Sequence, residues 1–179
     1  MAIRKQPRRT TVAAALPLLF AMPMALSADE GAERVRAHLV GYEEVPTLSS
    51  NGSAVFRAKI AEDDKSFDWE LTYAGLTDVK QAHIHFAARA INGPIVIWLC
   101  SNLGNGPPGT QACPTSAGTV RGTATAADVT AGAATAGIPA GDLARMLDAI
   151  RAGAAYANVH TAARPGGEIR GQIHSHGDH

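Results

Sequence analysis

From residue 34 onward, hydrophobic and polar residues alternate with period two along most of the chain, the pattern of strands with one buried face. Ala54, Phe56, Ala58 and Ile60 point one way while Arg57 and Lys59 point the other. After the polar turn Glu62-Asp63-Asp64-Lys65, Phe67, Trp69, Leu71 and Tyr73 alternate with Asp68, Glu70 and Thr72, which predicts a hairpin. Pro94 to Leu99 is a continuous apolar run between Asn92-Gly93 and a polar loop, and reads as a central strand. Further strands are predicted over 34–41, 79–86, 117–125, 155–161 and 168–174. One segment departs from this period. Leu143, Met146, Leu147 and Ile150 recur at i, i+3, i+4 and i+7, a helical stripe. Asp142 as N-cap, Arg151 in the last turn and Gly153 past the end bound one short helix at about 142–152. The Ala/Gly/Thr-rich stretch 122–141 reads as a crossover connection. About eight short strands with Gly/Pro turns predict an all-β fold, an antiparallel Greek-key sandwich or barrel with that single helix.

Composition changes this picture mainly at the N-terminus. The 179 residues carry 16 Lys+Arg against 16 Asp+Glu, unevenly distributed. Arg4, Lys5, Arg8 and Arg9 precede an uncharged stretch from Val12 to Leu26, broken by Pro17 and Pro23, and Ala25-Leu26-Ser27 offers a small-x-small cleavage site. This is the grammar of a secretory signal peptide, and the stretch falls short of the roughly 20 apolar residues a membrane span needs. Residues 1–27 are therefore expected to be a cleaved signal. Arg8-Arg9 admits the twin-arginine route, but Thr10-Thr11-Val12 fit that signal poorly, so the general secretory route is favoured. Removing 1–27 takes four basic residues and no acidic one, leaving 152 residues of net charge −4. That length suits one domain, and the acidic balance argues against a nucleic-acid partner. The expected layout is a linker at 28–33, a β domain over 34–174 and a His-rich tail at 175–179, periplasmic or secreted, with no membrane span after cleavage. Cys100 and Cys113 bracket a loop without periodicity. In an oxidising compartment a disulfide is expected, worth roughly 3 kcal/mol, whereas thiolate metal ligation would want closer or more cysteines.

The seven histidines are the densest source of chemistry. His83 and His85 stand at i and i+2 of a strand, so they share a face opposite Ala82, Ile84 and Phe86, about 7 Å apart. Two solvated histidines on an open sheet face would show the same spacing. Tyr156, Asn158 and His160 share a face of the strand 155–161, and Glu168, Arg170, Gln172 and His174 share a face of the next. Where those faces meet, His83, His85 and His160 form a three-histidine site suited to copper or zinc. Asn158, Glu168 and Arg170 are then candidates for outer-sphere support, with an ion pair the alternative role for Glu168 and Arg170. The tail from His174 through His176 to His179 is at most a weak, unselective chelator, and His38 reads as structural. No G-x-S-x-G, P-loop or dinucleotide fingerprint occurs, and no catalytic residue is assigned.

Several segments, taken in order, carry a resemblance. They are Leu39-Val40-Gly41-Tyr42-Glu43-Glu44-Val45-Pro46, then Tyr73-Ala74-Gly75-Leu76 with His83-Ile84-His85, then Gly153 to Thr161 and Pro165 to Ile173. Over about 34–174 the chain resembles the CHRD domain, named for chordin and found also in secreted bacterial proteins. Thr47 stands where that family commonly has a second Pro, and Ala87-Ala88 replaces a usual Gly, which bears on the turn after the His-x-His strand. The resemblance implies an extracellular binding domain of unsettled biochemical role. A looser resemblance, to Cu/Zn superoxide dismutases, implies a copper-type site at His83, His85 and His160. The loop between Cys100 and Cys113 has no His, Asp or Glu to build a zinc site, so dismutase activity is not expected. The leading expectation is a non-enzymatic exported β domain that binds a transition metal through His83, His85 and His160, copper foremost and zinc as the alternative. The rivals are a metal-free extracellular interaction or structural module, and a metal-dependent enzyme with Glu168 as base.

Overall fold

A computed structural model describes residues 1–2 and 32–175. The expected signal segment beyond Ala2, residues 28–31 of the linker and the tail after Ser175 lie outside the described residues. The strands are β1 (Arg34–Val40), β2 (Ser53–Ile60), β3 (Ser66–Ala74), β4 (Val79–Phe86), β5 (Ile95–Ser101), β6 (Gly118–Thr125), β7 (Ala155–Thr161), β8 (Ile169–Gln172) and β9 (His174–Ser175). One α-helix, α1 (Leu143–Arg151), precedes β7. All pairings are antiparallel, in the order β5-β4-β7-β8-β1-β2-β3-β6, with β9 on β1. The all-β expectation with one short helix is met.

The alternation of the chain explains the barrel. β2 and β3 pair from Ser53↔Ala74 to Ile60↔Phe67, which sets Ala54 opposite Tyr73, Phe56 opposite Leu71 and Ala58 opposite Trp69. All of these are buried, so one face of the hairpin supplies core and the other meets solvent. α1 buries Leu143, Met146, Leu147 and Ile150, and the Asp142 carboxylate accepts the Arg145 N–H at 3.1 Å as its N-cap. Stretch 122–141 finishes β6 and then runs through two 3-10 turns, Ala126–Asp128 and Ala131–Ala136. The predicted strand 168–174 is split at Ile173 into β8 and β9, and the Ile173 N–H donates to the Ala155 carbonyl at 2.8 Å, in line with the β7–β8 register.

The sheet curls into a barrel that stops short of closing, with β5 and β6 at its two ends. This corrects the expectation of a central strand at 94–99. β5 is terminal, yet Val96, Ile97 and Leu99 are fully buried, because loops rather than a strand cover its outer edge. The Thr130 N–H donates to the Val96 carbonyl at 2.9 Å, and the Ser101 N–H donates to the Gln111 carbonyl at 2.8 Å. From the same loop the Gln111 amide donates to the Arg121 carbonyl of β6 at 2.9 Å. Cys100 and Cys113 form the expected disulfide beside this seam. A cleft of about 190 Å³, lined in part by Trp69, Trp98, Leu99 and Gly122, remains between the edges.

Candidate metal centre

β4, β7 and β8 lie side by side, and their register decides which side chains meet. Ala82, Ile84, Ala157, Val159 and Ile169 belong to the core, so the intervening residues project from the opposite face. On that face His83 pairs with Asn158 and Asn158 with Arg170, while His85 pairs with Tyr156 and Tyr156 with Gln172. Gln81 pairs with His160, which puts His160 diagonally next to His83. On the other side of β4, His83 faces Trp98 of β5. Every residue of β7 is buried, because loops roof this outer face.

The three histidines converge. One ring nitrogen from each lies within 4.8 Å of the other two, and His83, His85 and His160 are 0%, 6% and 6% exposed. Backbone carbonyls orient two of them. His85 Nδ1 lies 2.9 Å from the Gly93 carbonyl, and His160 Nδ1 lies 3.0 Å from that of Pro165. A carbonyl only accepts, so each Nδ1 carries the proton and each Nε2 keeps its lone pair. Both Nε2 atoms and both nitrogens of His83 are buried with no hydrogen-bond partner. Orphaned buried polar atoms cost about 1–3 kcal/mol each, and native structures rarely keep several together without a use for them.

Burial also fixes their charge. The His83 imidazole is pushed down to about 2 by desolvation, with smaller contributions from His160 and His85. His85 is pushed down to about 4, again chiefly by burial, and partly held up by its bond to Gly93. His160 is lowered for the same first reason, with the Arg170 charge adding to it. Three neutral imidazoles with free lone pairs are donors for a borderline transition metal. Bonds of about 2.0–2.1 Å to one ion require the nitrogens to draw in from their present span.

Around them stands an ordered shell. Trp98 meets His83 edge-on at 4.4 Å, and Tyr156 stacks on His85 at 4.7 Å with the planes 4° apart. The Arg170 guanidinium lies 4.5 Å over the Tyr156 ring. Its carboxylate partner is Glu44, at 2.8 Å with both side chains buried. The other Glu44 oxygen accepts from Asn158 at 2.6 Å, and Arg170 also donates to Asn92 at 2.6 Å. Glu168 sits apart from this group, accepting from Ser50 at 2.7 Å and from Thr161 at 2.5 Å. His38 is exposed on β1.

A family model for the CHRD domain matches residues 35–173. The chain belongs to the CHRD family. The match runs from β1 into the break between β8 and β9, so the three histidines and their shell are all part of the CHRD domain. No curated protein and no solved structure matches the chain. Sequence reasoning did not single out Glu44, although it lies in the Glu-Val-Pro segment that carried the family resemblance. It also read Trp98 only as part of an apolar run. In the turn that follows Ala87-Ala88, Ala90 takes a left-handed φ of 59°.

Proposed function

We propose that this CHRD domain is an exported, non-enzymatic protein that binds one transition-metal ion, copper foremost, through His83, His85 and His160. The observation that carries the reading is the convergence of one ring nitrogen from each of the three histidines on β4 and β7 within 4.8 Å, in a cluster where four buried ring nitrogens have no hydrogen-bond partner. The fixed tautomers of His85 and His160 add to it, since metal-ligating histidines characteristically donate their second N–H to a carbonyl. Copper ranks above zinc for imidazole donors in the Irving–Williams order. An enzymatic reading needs a base close to the ion, and both oxygens of Glu168 are engaged by Ser50 and Thr161.

The test is metal content and metal-dependent melting of the full chain carrying His176→Ala and His179→Ala, so that the tail contributes no ligand. Free metal at 100 times Kd stabilises the fold by about 2.7 kcal/mol. That gain is expected to vanish in His83→Ala and in His160→Ala. If the parent protein shows no stabilisation by zinc or by copper in either oxidation state, the monovalent ion being supplied anaerobically, metal binding is not its function.

A second reading, an interaction module, draws on two exposed apolar side chains. Tyr42 and Ile91 are 69% and 56% exposed, on two loops joined by the Arg89–Glu43 ion pair at 2.8 Å.

A further inference from the structure

We infer that the three-histidine centre takes copper as the monovalent ion. The inference rests on the metal-binding reading above and adds the charge and oxidation state of the ligand.

Charge is the first argument. The self-energy of an ion in a low-dielectric site grows with the square of its charge, so a divalent ion costs about four times as much to bury as a monovalent one. Proteins that bury a divalent ion offset this with anionic donors or with a bound hydroxide. Here the donors are three neutral imidazoles, and no carboxylate belongs to the group among the described residues. The two nearby carboxylates are engaged elsewhere. Glu44 is paired with Arg170 and bonded to Asn158, while Glu168 accepts from Ser50 and Thr161. Arg170 and Glu44 neutralise each other, so the shell supplies no net negative charge toward the ion.

Coordination number is the second. Cu(II) prefers four or more donors in a tetragonal arrangement, and three-histidine Zn(II) sites complete a tetrahedron with water. A d¹⁰ monovalent ion has no such geometric demand and is satisfied by three nitrogens. The structure offers three, walled by the Trp98 and Tyr156 rings, with the histidines 0–6% exposed. A water-completed site would sit against an open face; this one is roofed by the carbonyl-bearing loops at Gly93 and Pro165.

The experiment is an anaerobic competition titration of the full chain with His176→Ala and His179→Ala. Cu(I) is titrated against a cuprous chelator, and Cu(II) and Zn(II) against chelators of matched strength. Cu(I) is expected to bind at least about 100-fold more tightly than either divalent ion. At 59 mV per tenfold, that ratio places the potential of the bound copper couple about 120 mV above aqueous copper. Both readouts should collapse in His83→Ala, with His160→Gln as the second variant should the first not fold. Divalent binding as tight as Cu(I), and lost in these variants, overturns the monovalent inference and leaves the metal site standing. Absence of any histidine-dependent metal binding overturns both.

Discussion

Each imidazole of the cluster pays for its burial in protons. An unfolded histidine titrates near 6.5, whereas folded His85 stays neutral down to about 4 and His83 down to about 2. Below pH 6.5 the unfolded chain therefore binds more protons than the folded one, so stability falls as pH falls. The metal-free protein is expected to be most stable above pH 6.5. Between pH 6.5 and 4 it should lose up to about 1.4 kcal/mol per pH unit for each histidine that stays neutral. Urea unfolding at pH 7.5, 6 and 5 measures this slope, and a stability that is flat across the range would contradict it. Glu44 is the second residue on which the centre depends. Glu44→Gln leaves the buried Arg170 guanidinium without its counter-charge and is expected to cost about 3–5 kcal/mol in the same assay. Gly167 guards that pair. It has a φ of +125°, and a Cβ there would come 2.8 Å from Glu44 Oε1 and 3.0 Å from the Asn158 amide. Gly167→Ala should destabilise the fold by more than about 1 kcal/mol.

At the scale of elements, local signals account for what was legible and non-local ones for what was not. The β2–β3 hairpin could be read because Phe56, Trp69 and Leu71 alternate with residues such as Arg57, Asp68, Glu70 and Thr72, and one face had to turn inward. α1 was bounded to within a residue by Asp142 and Gly153, which signal a helix start and stop without help from the rest of the chain. Asp142→Ala, which removes the bond to the Arg145 N–H, is expected to lower stability by about 1 kcal/mol in thermal melts. The same logic placed His83 with His85 on one face and His160 with Asn158 on another. It could not supply the Gln81↔His160 register, which depends on pairing across some 80 residues of chain. The carbonyls of Gly93 and Pro165 left no trace either, because a backbone acceptor looks alike at every position. Glu44 and Arg170 are 126 positions apart, and neither residue alone announces the other. The apolar run of β5 could not distinguish an interior strand from a terminal one covered by loops, since both bury the same side chains.

At the scale of the whole molecule, β5 and β6 are the two loose ends of one sheet, tied by a loop rather than by a ladder. The Cys100–Cys113 bond closes that loop, and removing it as the Cys100→Ser, Cys113→Ser pair is expected to cost about 3 kcal/mol. The histidine centre stands one strand in from the loose end, on β4 and β7, so its metal affinity should change less than the melting temperature does. The larger consequence concerns what one molecule does to another. Ile95-Val96-Ile97-Trp98-Leu99 is uncharged, rich in β-forming residues and interrupted by no proline, the make-up of a strand that adds readily to a foreign sheet edge. In the oxidised barrel the Gln111 and Thr130 loops occupy that edge. Reducing the bond frees the Gln111 loop while the Thr130 loop stays on Ile95 and Val96, so the edge is bared from its Leu99 end, and chains should begin to pair with each other there. Light scattering that grows with time under reductant, and stays flat without it, would reveal the disulfide as the feature that keeps each barrel to itself.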